Sequence, residues 1–270
     1  MNNNIYENYL FHLFTSKTKP IKDLIELLHE LVPEANLDCN EDGIRVFKIT
    51  KDRTKVVHLK LNSGGNDGFE QYYCPKEIRL GVNMEHLFKI IKLIEPEETL
   101  RIYVSKDEPD MLCVERYNNK DKITNNKSLM LIDVEYDVVK FPDMEITSMI
   151  KFPSTRFQKL CKELKCFTDE ITIKSTNDIL NISSNDPNNS SPIKQEITIK
   201  PTNKKDSVVM SNKDITIYDG TFYLKPILDF SKCSPLSPYI NIYLENNKPL
   251  TLECDVCSLG TIKLSIAPKE

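Results

Sequence analysis

The chain has little glycine. Seven of its 270 residues are glycine, and the one cluster, SGGNDG at 63–68, lies between strand-like runs and reads as a hairpin loop ahead of a ligand loop. Loops that cradle phosphates need more glycine than this, and the phosphate-loop, GxSxG and HExxH patterns are all missing. The four histidines, His12, His29, His58 and His86, are scattered, without a clear acidic or cysteine partner in sequence. With no nucleophile, base and orienting group set near one another, the chain reads as a scaffold and not an enzyme, and no cofactor is expected. Long apolar runs are also missing. None approaches the roughly 18–20 residues of a membrane span, so no membrane partner is expected. The start, MNNNIYENYLFHLF, has no cationic segment and no small-residue cleavage site, which predicts an intracellular location and free thiols for the eight cysteines.

What is present is 40% hydrophobic and 28% charged residues with a net charge of −4, the composition of a soluble globular protein. The length suits two domains of about 130 residues, each able to bury its own core. Two cysteine pairs, Cys161 with Cys166 in CKELKC and Cys254 with Cys257 in CDVC, leave one chemical alternative open. Thiolates at such spacing can share a tetrahedral zinc, which would suit a metal-dependent nucleic-acid-processing enzyme. Neither pair is flanked by the turn residues of a zinc knuckle, so the expectation is no metal.

Hydrophobic periodicity orders the elements. KPIKDLIELLHELVPE (19–34) has a helical period; GIRVFKIT, VVHLKL and QYYCPKEIRLGV alternate as strands; NMEHLFKIIKL (83–93) is an amphipathic helix; TLRIYVS and DMLCVERY are strands. NNKDKITNNK (118–127) is a polar stretch, followed by SLMLIDVEYDVVKFPDMEI. The order then repeats. STRFQKLCKELKCF (154–167) is a helix that Ser154 could cap; EITIKS, ILNISS, QEITIK, VVMS and ITIYDG are short strands; TFYLKPILDFSKCS (221–234) is a helix interrupted by Pro226; INIYLE, PLTLECDV and GTIKLSIA are strands. Each half is helix, strands, helix, strands, an internal duplication of pattern and not of residue identity. The fold class is α+β.

Lysines recur on the polar sides of these helices: Lys22 on the first, Lys89 and Lys92 on the second, Lys159, Lys162 and Lys165 on the third, Lys225 and Lys232 on the fourth. Each set alone is an ordinary solvated face, and the first helix also carries Asp23, Glu26 and Glu30. Their recurrence in a net acidic chain points instead to one surface made positive. Lysine is a hydrated point charge on a flexible stem, suited to neutralising phosphates without locking onto them.

GVNMEHLFKIIK (81–92), KFPSTRFQKLCKELK (151–165), KCSPLSPYINIYLENNKPLTLE (232–253) and LGTIKLSIAPKE (259–270) resemble, in order, stretches of the proliferating cell nuclear antigen family of DNA sliding clamps. The resemblance implies two similar clamp domains, 1–130 and 147–270, joined by a connector at 131–146, and three chains closed head to tail around duplex DNA. It implies a non-enzymatic processivity factor for replication and repair, set on DNA by a clamp loader, that tethers DNA polymerase and other clients. The location implied is the nucleus or, for a chain from a large DNA virus, the site of viral DNA replication; the Asn- and Lys-rich, Gly-poor composition hints at such an AT-rich genome. The implied DNA-facing set is Lys22, His29, Lys89, Lys92, Lys159, Lys162, Lys165, Lys225 and Lys232. The implied partner pocket, for peptides with a Gln followed by an aliphatic residue and two aromatics, uses Ile49, Val138, Phe141, Pro142, Pro249, Ile266, Ala267 and Pro268. The chain departs from the family pattern in four places: no Asp directly after Ile49, Ser265 where an aromatic is usual, a connector about two residues longer by the same comparison, and an enlarged polar loop at 185–195.

Overall fold

The computed structural model describes residues 6–64, 68–135, 148–176, 179–184, 193–202, 207–212, 217–246 and 248–269. The connector residues Val138, Phe141 and Pro142 and most of the 185–195 loop lie outside that set.

The first half runs β1 (Tyr9–Thr15), α1 (Thr18–Leu31), β2 (Glu34–Asn40), β3 (Gly43–Ile49), β4 (Lys55–Asn62), β5 (Gln71–Tyr73), β6 (Ile78–Asn83), α2 (Met84–Ile91), β7 (Glu98–Ser105), β8 (Met111–Asn118) and β9 (Ile123–Met130). The second runs β10 (Ser148–Pro153), α3 (Ser154–Lys165), β11 (Glu170–Ser175), β12 (Leu180–Ser184), β13 (Glu196–Ile199), β14 (Val209–Asn212), β15 (Tyr218–Tyr223), α4 (Leu224–Phe230), a 3-10 turn at Ser231–Cys233, β16 (Tyr239–Leu244), β17 (Leu250–Asp255) and β18 (Gly260–Ile266). In the first half, strands order as β5-β1-β7-β8-β9 and β4-β3-β2-β6. Adding nine to each label gives the orders of the second half, β14-β10-β16-β17-β18 and β13-β12-β11-β15. The duplication read from the pattern is therefore a duplication of topology.

The chain divides into two compact units, each borrowing a short piece from the other half. The first is Met1–Lys48, Val57–Asp137 and Asp255–Ile262; the second is Ile49–Val56, Val138–Cys254 and Lys263–Glu270. In the first unit, Phe11 and Leu13 of β1, Ile21, Leu24, Ile25 and Leu28 of α1, Leu87 of α2 and Ile102 of β7 turn toward one apolar interior. In the second, Phe157, Cys161 and Leu164 of α3 meet Ile227 of α4 and the inward residues of β11, β12, β16 and β17. Each helix thus spends one stripe on its core and leaves the opposite stripe to solvent.

Several local expectations are corrected. The first helix ends at Leu31, because Pro33 pushes Val32 into extended backbone (φ −143°, ψ 139°) and the chain enters β2. Pro226 does not interrupt α4. It is the third helical residue, where the amide it lacks has no partner in the helix anyway. Ser154 is not a cap; it is the first residue inside α3, preceded by Pro153, and its buried Oγ has no hydrogen-bond partner among the described residues. Residues 65–67 of the SGGNDG stretch lie outside the described residues, and the strands that flank it do not pair with each other as the hairpin reading expects, since β5 pairs with β1. The polar stretch 118–127 contains the turn between β8 and β9 and half of β9 itself.

Candidate nucleic-acid interface and partner pocket

The lysines on the four helices are not equivalent. On α1, Lys22 is half-buried and its Nζ donates to Ile94 O at 3.1 Å, fixing the segment after α2. His29 is half-buried and stacked on Phe88 of α2, ring centroids 4.9 Å apart, so it serves the α1–α2 packing. On α2, Asn83 caps the helix by accepting from His86 N at 3.0 Å, Lys89 pairs with Glu85 at 2.6 Å, and Lys92 is exposed with its Nζ 5.7 Å from the Phe88 ring centre. On α4, Lys225 pairs with Asp229 at 2.9 Å, and Lys232, half-buried, lies in the 3-10 turn.

Charge concentrates on α3. Lys159 and Lys162 are exposed and make no ion pair among the described residues, whereas Lys165 pairs with Asp169. Arg156, which the sequence reading passed over, is exposed one turn before Lys159. The one carboxylate on this helix, Glu163, accepts from Gln195 Nε2 at 2.7 Å. Four cations against one carboxylate make α3 strongly positive, while α1, with Lys19 and Lys22 against Asp23, Glu26 and Glu30, is not. At Lys22, Lys89, Lys165 and Lys225 the ammonium is engaged by a carbonyl or a carboxylate.

Residues 131–135, at the start of the expected connector, are tied to the first unit. Leu131 N donates to Asp110 O, Ile132 N to Gly81 O at 2.9 Å, Asn36 Nδ2 to Val134 O at 3.1 Å and Lys48 Nζ to Glu135 O at 3.4 Å. Gly81 is required there, since a Cβ on it would lie 2.0 Å from Ile132 O. Asn36, Lys48 and Gly81 are therefore positioning residues that hydrophobic patterning could not reveal, and Lys48 is buried at 8% exposure.

The described members of the expected partner pocket, Ile49, Pro249, Ile266, Ala267 and Pro268, all belong to the second unit. Ala267 N donates to Thr54 O at 2.9 Å, which brings the segment after β18 onto the loop that follows Ile49. That loop is self-contained. Asp52 accepts from Thr50 Oγ1 at 2.5 Å and from Thr54 N at 3.1 Å, bonds that hold its carboxyl below the usual range. Ile266 is buried in the core, Ile49, Pro249 and Ala267 are half-buried, and Pro268 is exposed.

The cysteine pairs do not converge. Cys161 and Cys254 are buried while Cys166 and Cys257 are exposed, and burial pushes the Cys161 thiol well above the ordinary range, away from the thiolate a metal needs. No cluster of three or more His, Cys, Asp or Glu suited to a metal ion occurs among the described residues.

Two units of identical strand order, each with a helix pair whose polar stripe faces solvent, define the class of the sliding-clamp subunit. Family models agree. Residues 13–138 match the N-terminal domain of proliferating cell nuclear antigen and residues 140–269 its C-terminal domain. The chain is 28% identical over 262 residues to a protein of Paramecium bursaria Chlorella virus 1 named probable DNA polymerase sliding clamp 1, covering 97% of this chain and 98% of that one. It is 27% identical to proliferating cell nuclear antigen of Dictyostelium discoideum, covering 92% and 95%. The crystal structure of the Entamoeba histolytica antigen superposes with a TM-score of 0.85 at 25% identity, over 97% of this chain and all of that one. The chain belongs to the proliferating cell nuclear antigen family.

Proposed function

We propose that this chain is a subunit of a DNA sliding clamp, a non-enzymatic ring that encircles duplex DNA and holds DNA polymerase on it. The observation that carries the reading is the duplicated topology together with a solvent-facing cationic stripe on α3. A ring keeps hold of DNA by topology and can dispense with base contacts, so weak attraction to phosphates suffices and sequence plays no part.

The duplication also suggests how copies join. In the first unit the Asp255–Ile262 segment lies beside β4, with Asn62 N donating to Leu259 O at 2.8 Å. The counterpart of β4 is β13 and that of β18 is β9, and each ends its sheet. β9 of one copy set beside β13 of the next repeats the neighbourhood of β4. Such a head-to-tail contact uses two different surfaces and closes into a ring where the rotation permits; three copies is the number the family supplies. The exposed Ile123 and Met130 of β9 fit an edge that is covered in the assembly.

The pocket residues, with Val138, Phe141 and Pro142 of the connector, are proposed to take client peptides carrying a Gln and two aromatics, and loading by a clamp loader is part of the same reading. The place of work is the nucleus or a viral replication site. The reading is tested by native mass and metal content together: a metal-free species near three times 31.2 kDa supports it, and a monomer holding stoichiometric zinc overturns it.

A further inference from the structure

Among the described residues Ala267, Pro268 and Lys269 follow β18, and the two residues that flank Pro268 are fastened down. Ala267 N donates to Thr54 O, and Lys269 N donates to Thr221 O of β15 at 2.8 Å. The Lys269 ammonium pairs with Glu170 Oε1 at the start of β11 and lies 5.5 Å from the centre of the Tyr223 ring at the end of β15. Glu170 is largely shielded, its side chain 13% exposed. The hydrogen bond to Glu170 raises the Lys269 pKa, so the ammonium stays charged across the neutral range. One side chain thus spans two strands and holds the segment at both its backbone and its head group.

We propose that Lys269 is a positioning residue for client binding: its pairing with Glu170 and Tyr223 holds Ala267 and Pro268 in place as a finished wall of the peptide pocket. The proposal rests on the pocket reading above. Ala267–Lys269 lies beyond β18, outside any strand ladder, and without the latch it fluctuates. A peptide that needs this wall must then order it on binding, which costs about as much as immobilising one long side chain and loosens affinity by about three- to tenfold. With the latch in place that ordering is complete before the peptide arrives.

The test uses the full-length protein and two readouts. Amide hydrogen exchange at Ala267 and Lys269 reports the latch itself, and titration with a Gln-and-two-aromatics peptide reports its use. Lys269→Ala removes ion pair and ring contact together, Glu170→Gln removes the ion pair at nearly constant shape, and Lys269→Arg keeps both. The expected result is faster exchange at both amides and affinity lowered about three- to tenfold in the first two variants, with both properties retained in Lys269→Arg. Unchanged exchange in Lys269→Ala overturns the latch. Faster exchange with unchanged peptide affinity shows that the latch does not serve the client and overturns its positioning role. No peptide binding by the unaltered protein, with exchange still sensitive to Lys269, overturns the pocket reading and the role with it, while the latch stands as a purely structural contact.

Discussion

Replacing Lys159 and Lys162 by alanine should change how DNA binding depends on salt, and replacing Lys22 and Lys225 should not. The first two are exposed ammonium groups without an ion-pair partner among the described residues, while Lys22 is bonded to Ile94 O and Lys225 to Asp229. A cation already matched to a carboxylate brings little net charge to a phosphate, and one bonded to a carbonyl in a half-buried position cannot reach one. Each phosphate neutralised contributes about −0.9 to the slope of log K against log salt. The Lys159→Ala/Lys162→Ala variant should therefore flatten that slope by about one to two for each copy on the DNA, and the Lys22→Ala/Lys225→Ala variant by well under one. The assay is duplex binding across a salt series on both variants, with native mass and thermal melting as controls. Melting of the α3 variant should be unchanged, because exposed lysines contribute little to stability; loss of the Lys22 hydrogen bond should lower stability by about 1 kcal/mol. Equal flattening in the two variants would refute the division of the lysines into free and engaged, and an unchanged slope in the α3 variant would reduce that stripe to a solvated face.

Three further outcomes follow from buried features. Gly81→Ala places a methyl group against Ile132 O and should cost about 1–3 kcal/mol in urea unfolding, with faster amide exchange at Ile132; wild-type stability would remove the close approach from the account. Glu98→Gln leaves Arg116 charged in a site where both side chains are about 10% exposed, and should cost about 3 kcal/mol or more; a loss below about 1 kcal/mol, the range of exposed pairs, would show that the pair is solvated. Burial, assisted by Arg101, lowers the His12 pKa to about 4. The unfolded chain therefore binds the extra proton between its ordinary value near 6.5 and that pKa. Stability is full above that window and falls as pH drops through it, by up to about 1.4 kcal/mol per pH unit. His12→Gln should flatten the profile between those values, and an unaltered profile would contradict the assignment.

Much of this fold is legible in the chain, and the parts that are not fail for physical reasons. The four helices and most strands follow from periodicity because one stripe of each faces a core. β1 escapes such reading because both its faces are covered: Phe11 and Leu13 point into the core, and His12 on the other side is buried under Tyr6 and Tyr9. β2, EANLDCN, does alternate, but its Asn and Asp residues have the composition of a turn. The first part of β9 reads as a polar stretch because the strand ends its sheet and is mostly exposed. Among site residues, charge pattern located the lysines, but which of them are engaged depends on partners four residues away or, for Lys22, on a carbonyl 72 residues distant. The tracks held by Gly81, Asn36, Lys48 and Lys269 are contacts between segments remote in sequence, and no local signal encodes them.

Encirclement is read out by retention of the loaded protein on a closed DNA circle before and after the circle is cut. Held by topology, the protein should persist on the closed circle through repeated dilution and be lost once a free end exists, with little dependence on the sequence of the circle. Equal retention on the closed and the linearised DNA would contradict the account.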